Sequence, residues 1–269
     1  RSYNERTTRQ NQSYAQEYYR NYLDAEPIPG IEYEYEYLKA VLPQLPVALV
    51  NQLAQQYITD NNVVISYLGK ENSDVVSVPT QEEVLNMFNS VKTAEIEAPV
   101  EETFDRPLVE TAPTAGTIVK EKFNKKLGTT EWTLSNGIKV VIKPTDFKND
   151  QIIMSMESEG GSSKIALNDL PSATLADAVI SYNGIGEFSV LDLQKVLTGK
   201  KVSVAPSISP YSESMSGSST VKDFETMMQL TYLYFTAPRQ DDQAYQTLIS
   251  MLETQLAARD KNPKNAFND

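Results

Sequence analysis

The sequence predicts an α+β protein: antiparallel sheets covered by helices, in two partial domains joined by a linker. Three observations carry this. A strong β-hairpin pattern surrounds Asn136-Gly137, several amphipathic helices begin at recognisable caps, and a Pro- and Glu-rich break separates two patterned regions. With 269 residues the chain is long enough for one large domain or two modest ones.

The first region, 1–93, reads as mostly helical with one short strand. Tyr14, Tyr18 and Tyr22 recur every four residues and form one stripe on a helix. Such a stripe is either a ligand face or, in the favoured reading, a packed amphipathic face. Pro27, Pro29 and Gly30 end that helix. In Ile31–Tyr37, alternating Glu and Tyr fit a strand, whereas the acidic start suits a helix N-terminus; the reading leans to helix. The three Glu lack the converging ligands and tight Gly turn of a calcium site, so they read as solvated charge. Pro46 opens another helix with Val47, Val50, Leu53, Ala54 and Tyr57 on one face. Asn61-Asn62 reads as a turn, and Val63–Leu68 as a short buried strand. A helix over 80–92 starts from a capping box, Thr80 to Glu83.

Residues 94–117 carry Pro99, Pro107 and Pro113 among Glu, Thr and Ala. They read as a linker or hinge, with too little apolar matter to fold, and as the segment a protease cuts first.

The second region, 118–269, opens with the hairpin. Trp132 and Leu134 alternate with polar residues, Asn136-Gly137 fits a type I′ turn, and Ile138, Val140 and Ile142 resume the alternation. A third strand spans 151–157, a Gly-Gly-Ser-Ser loop follows at 160–163, and 172–183 reads as a helix. Gly184 reads as that helix's C-terminal cap. Ser189 to Asp192 caps the next helix, which turns Leu193, Val196 and Leu197 inward. Lys201–Ser209 and the serine-rich Tyr211–Ser219 read as antiparallel neighbours with exposed serines. Thr220 to Asp223 is another capping box, before a helix with Phe224, Met228, Thr231 and Phe235 on one face. A last helix opens at Asp241-Asp242 and turns Tyr245, Leu248, Leu252 and Leu256 inward. This order predicts an antiparallel sheet with helices on one face.

Composition excludes whole classes of chemistry. There is no cysteine, hence no disulfide, thiolate zinc site, iron–sulfur ligation or cysteine nucleophile. There is no histidine, hence no Ser-His-Asp arrangement and no imidazole metal ligand. A net charge of −12 opposes nucleic-acid binding. No run has the length of a membrane span. Asn183-Gly184-Ile185-Gly186 lacks the third glycine of a dinucleotide site, and no Gly-Lys-Ser/Thr follows Gly160-Gly161. No catalytic, cofactor-binding or metal-binding residue is therefore assigned. The start at Arg1-Ser2-Tyr3 and the stop at Asn268-Asp269, just past Pro263, lead to the expectation of a piece of something longer.

Residues 129–145, with Thr133-Leu134-Ser135-Asn136-Gly137-Ile138-Lys139-Val140 at their centre, resemble the opening of a core domain of the pitrilysin/insulinase-type zinc metallopeptidases. Asn183–Gly186, Asp192–Lys195 and Leu233–Arg239 are similar to the third domain of two-halved bacterial members. Residues 28–68 are similar to the end of the second domain. The resemblance implies an α/β roll whose first region, 1–93, ends a second domain, whose hinge is 94–117, and whose third domain is 118–269, non-catalytic and truncated. Active members carry His-x-x-Glu-His on the first helix of their first domain, where two imidazoles bind zinc and the Glu activates water. The equivalent helix here, near Leu175-Ala176-Asp177-Ala178-Val179, has neither His nor Glu. The implied role is a non-catalytic portion of a zinc endopeptidase, contributing chamber wall and hinge. Zinc and peptide substrate would belong to the full-length parent, whose catalytic N-terminal half is the expected partner. The resemblance also points to a periplasmic or cell-envelope location. The alternatives are an inactive relative acting as a scaffold and a stand-alone peptide-binding module.

Overall fold

The structure is a computed structural model that describes residues 1–57, 62–67, 78–95, 97, 106–259, 265 and 267. Asn61, Leu68, Pro99, Pro263 and Asn268-Asp269 lie outside the described residues, as does the side chain of Ala54. The chain divides into two compact units: Arg1–Ile28 with Phe104–Asp269, and Pro29–Thr103. Compact units need not coincide with domains defined by resemblance.

The smaller unit is helical. Helix α2 (Ile31–Val41) resolves the strand-or-helix ambiguity. Glu32 and Glu34 sit in its first turn, where the helix dipole favours negative charge. Tyr33 and Tyr37, one turn apart, stack with ring centroids 6.1 Å from each other. Helix α3 (Val47–Tyr57) follows a single 3-10 turn at Leu42–Gln44. Its expected apolar face is not buried: Val47, Val50, Leu53 and Tyr57 are all exposed. Residues 63–67 form no strand, and Val64 is 90% exposed. Among the described residues nothing pairs with them, and a lone strand has no ladder to hold it. Helix α4 (Gln81–Thr93) begins with the expected capping box. The Thr80 hydroxyl accepts from Glu83 N, and the Glu83 carboxylate accepts from Thr80 N at 2.7 Å.

In the larger unit, helix α1 (Asn11–Asp24) ends where Ala25 turns left-handed. Its tyrosine stripe corrects the packing expectation. No residue of the helix is buried, and Tyr22 is 85% exposed. Periodicity identifies a face; it does not supply a partner. The preceding residues are held instead by hydrogen bonds to a distant loop. The Glu5 carboxylate accepts from the backbone N–H groups of Asn149 and Asp150, both at 3.0 Å, and from the Thr8 hydroxyl.

Among the described residues the strands form two three-stranded antiparallel sheets. The first has the order β1 (Ile118–Asn124), β2 (Thr129–Leu134), β3 (Lys139–Ile142). The β2–β3 turn differs from the type I′ expectation. Gly137 N donates to Leu134 O, Leu134 N donates to Ile138 O, and only Gly137 takes a positive φ, +86°. The connection is a three-residue loop, a type I turn closed by a left-handed glycine. The second sheet has the order β4-β6-β5, where β4 is Ile152–Glu159, β5 is Val202–Ile208 and β6 is Ser212–Ser219. Helices α5 (Leu170–Asn183) and α7 (Phe224–Thr236) pack against this sheet. Helix α8 (Asp242–Arg259) packs against α5.

The core gathers Leu108, Ile185, Phe188, Leu230 and Leu233, with the short helix α6 (Val190–Val196) supplying Leu193 and Val196 around them. On α7 the buried residues are Thr226, Met227, Leu230, Thr231 and Leu233, whereas Phe224 and Phe235 are exposed. The expected face is thus rotated by about one residue. The cause is visible at Gly217 of β6. A Cβ there would lie 3.0 Å from Met227 Sδ, so α7 approaches the sheet closely with Met227 inward. On α8 Leu248 is buried as expected, while Tyr245 and Leu256 stay exposed.

The segment before β1 is not free along its length. Leu108 is buried in the core at 9% exposure. Beside it Arg106 lays its guanidinium over the Phe188 ring and donates to Glu187 O. One leucine suffices to seat a proline-rich stretch when a pocket exists for it.

Candidate functional site

The helix that the resemblance makes equivalent to the metal-binding helix is α5. Pro171 lies in its first turn, where its missing N–H costs nothing. Leu175, Ala176, Val179 and Ile180 line an apolar groove of about 430 Å³, closed on one side by Tyr245 of α8. The donor set there does not fit zinc, because aliphatic side chains offer it no nitrogen, sulfur or carboxylate oxygen. Asp177, the one carboxylate in that stretch, has a structural partner. Its Oδ2 accepts from Ile208 N at 3.2 Å, tying the end of β5 to the helix. Among the described residues no group of three His, Cys, Asp or Glu could hold a metal ion.

The glycine turns are also occupied by their own chain. Gly160 N donates to Tyr211 O, Gly161 N to the Glu213 carboxylate, Ser162 N to Ser209 O and Ser163 N to Pro210 O. Four consecutive amides that could have cradled a phosphate already have acceptors. Gly161 is needed because φ is +62° and a Cβ would fall 2.2 Å from Ser209 O. Gly184 caps α5, and there Ile185 N and Phe188 O close a tight buried turn.

Carboxylates held below their ordinary range do structural work as well. The Ser189 hydroxyl, then the Ser189 amide, stabilise the charge of Asp192 against some burial. The Lys201 amide and the Thr220 hydroxyl do the same for Asp223. The expected Thr220–Asp223 box thus forms in part. The hydroxyl accepts from Asp223 N, but the carboxylate reaches across to Lys201 N at 2.9 Å. At α8, Asp241 accepts from Ala244 N, with Arg239 beside it. Each shift traces to a cap or a turn rather than to a cleft with convergent acids.

What remains is a surface. The register of the second sheet sets Ser203 opposite Ser218, Ser207 opposite Ser214 and Ser155 opposite Ser216. These share the face turned away from Met215, Gly217 and Ser219, which are buried. The serine expectation therefore holds for one face only. The open face offers small neutral donors and acceptors, with Glu157 and Glu159 at one end. The chain has no histidine, the commonest base for activating a hydroxyl.

No protein-family model matches the sequence. Over 270 residues it is 29% identical to a "Zinc protease PQQL-like" of Arabidopsis thaliana, a match that takes in 99% of this chain and 25% of that protein. The periplasmic protease PqqL of Escherichia coli aligns with 97% of the chain at a TM-score of 0.54 and 19% identity. The ferredoxin protease FusC, solved in complex with Arabidopsis ferredoxin, aligns with 96% at a TM-score of 0.53 and 16% identity. In each solved structure the match takes in 29% of the neighbour's length. The chain spans about a quarter of the curated relative it matches. Across nearly its whole length, then, the chain is similar to one stretch of a zinc protease and shares the α+β fold of the PqqL and FusC proteases, as its resemblance to pitrilysin/insulinase-type peptidases implies.

Proposed function

We propose that this chain is a non-catalytic portion of a zinc-dependent endopeptidase of the pitrilysin/insulinase type, contributing chamber wall and hinge. The observation that carries the reading is the pairing of two facts. Similarity to a zinc protease runs through 99% of the chain, and the helix equivalent by resemblance to the family's metal-binding helix lines an apolar groove. Residues 1–93 are the end of a second domain, 94–117 the hinge and 118–269 the third domain. Zinc belongs to a catalytic half outside this sequence, and that half is the chain's partner. The exposed apolar faces of α1 and α3 support a role inside a larger body. The open serine face of the second sheet suits contact with an extended peptide backbone. By analogy with the periplasmic neighbour, the parent works in the periplasm or cell envelope. Among the described residues no helix is long and apolar enough to cross a membrane.

Elemental analysis of the full-length parent tests this. About one zinc per molecule, with chelator-sensitive peptidase activity, is the expected result. A zinc-free, inactive parent overturns it in favour of a scaffold. The chain alone should bind no zinc stoichiometrically and cleave no peptide; chelator-sensitive cleavage by pure material would contradict the assignment of silence.

A further inference from the structure

The tripeptide Asn-Gly-Ile occurs twice, as Asn136-Gly137-Ile138 and Asn183-Gly184-Ile185. Cyclisation involves the residue that follows the asparagine, and that residue is the same at both sites, so a large difference between them comes from the fold.

Asn136 sits at the tip of the first sheet's hairpin, in an exposed run from Ser135 to Lys139. A Cβ on Gly137 would meet nothing within 4 Å, so the turn has open space beside this residue. Two hydrogen bonds restrain the tip: Gly137 N to Leu134 O at 2.9 Å, and Ile138 N to Asn136 Oδ1 at 3.2 Å. Both lie at a solvent-facing loop, where local opening is least costly. Asn183 is the last residue of α5 and is 6% exposed. Its Nδ2 donates to Arg239 O, and a Cβ on Gly184 would lie 2.3 Å from Phe188 O. Ile185, next in line, is 1% exposed in the core. Swinging the Asn183 carboxamide onto the Gly184 nitrogen would require that packing to come apart.

We propose that Asn136 is a site of spontaneous deamidation and that the fold protects Asn183. The Gly137 nitrogen gives its proton to solvent base and attacks Cγ of Asn136. A bond forms between that nitrogen and Cγ, and the Cγ–Nδ2 bond of Asn136 breaks. Ammonia leaves, taking a proton from water, and a cyclic imide remains. Water then adds to either imide carbonyl. The product is aspartate or isoaspartate, and the balance is one water consumed per ammonia released. The backbone of the isoaspartate product is one methylene longer at the turn.

The test is peptide mapping by mass spectrometry of the intact protein, incubated at mildly alkaline pH and sampled over time. Trypsin places the two asparagines on different peptides, because Lys126, Lys139, Lys164 and Lys195 lie between and around them. In the folded protein, Asn136 should convert at least about tenfold faster than Asn183, since the buried site reacts only through a rarer opening. In urea the two rates should converge. Equal rates in the folded protein, faster conversion of Asn183, or a tenfold gap that survives unfolding would each overturn the proposal.

Discussion

The two sheets are built from similar alternation and end in different states. In the first, the register aligns Glu121, Trp132 and Val140, and next to them Phe123, Thr130 and Ile142. That makes one mainly apolar face, with Trp132 donating its indole N–H to Glu121, and one face carrying Lys120, Lys122, Glu131 and Lys139. Yet Phe123 on the apolar face is exposed, and so is every residue of β1 but the last. The second sheet has the same number of strands, and there α7 seats Met227 over Gly217. Alternation creates a face, and a cover makes it a core; the covered sheet is where the chain's stability should reside.

The sharpest way to break that contrast is Leu230→Ala. Leu230 is 3% exposed in the main cluster, and its truncation should cost about 2–5 kcal/mol in urea unfolding followed by far-ultraviolet circular dichroism. A loss no larger than that of a surface change would mean that the cluster is not the stabilising centre. Next comes Leu108→Ala, expected at about 2 kcal/mol because the seat lies at the margin of the core. It should also speed cleavage after Glu110 by a glutamate-specific protease, relative to the unsubstituted protein.

Thr220→Ala is expected to cost about 1 kcal/mol, as for a lost cap. It also has a pH counterpart. The Asp223 carboxyl lies below its ordinary 3.8 because the Lys201 amide and the Thr220 hydroxyl favour its charged form. Its contribution is therefore fully present above the unfolded value and is lost as pH falls through the depressed folded one. Asp192 and Asp241 behave likewise. All three serve the region around the second sheet. Acid should therefore lower hydrogen-exchange protection, relative to the intrinsic rate at each pH, in β5 and β6 below about pH 4, and Thr220→Ala should shrink that acid effect. An acid response unchanged by the substitution would assign it to other carboxylates. The smallest effect belongs to Val141→Ala on the uncovered sheet, within about 0.5 kcal/mol. Trp132 is the only tryptophan, so its fluorescence reports that sheet alone.

Local chemistry was readable from the sequence. The hairpin, the boxes at Thr80 and Ser189 and the cap at Gly184 all depend on residues a few positions apart. Pairings between distant segments were not. Nothing near Leu108 in sequence announces its pocket, which is made by residues more than seventy positions later. The tyrosine stripe of α1 looks like a packing face by spacing, but spacing carries no information about what lies opposite. The rotation of α7 was hidden for the same reason: Met227 points inward because β6 has a glycine beneath it, a fact of tertiary register. At the candidate site, the lack of histidine and cysteine was plain from composition. The bond from Ile208 N to Asp177 was not, since a lone acid on a helix signals no particular partner.

The seat of Leu108 also sets a radius. Ten Cα-to-Cα steps separate it from the first residue of β1, and each extended residue spans at most about 3.3–3.6 Å. Whatever excursion the uncovered sheet makes, its first strand begins on a leash of about 35 Å anchored in the core. Freeing the anchor would move the pivot back toward Arg106 and enlarge the volume that the sheet can sweep.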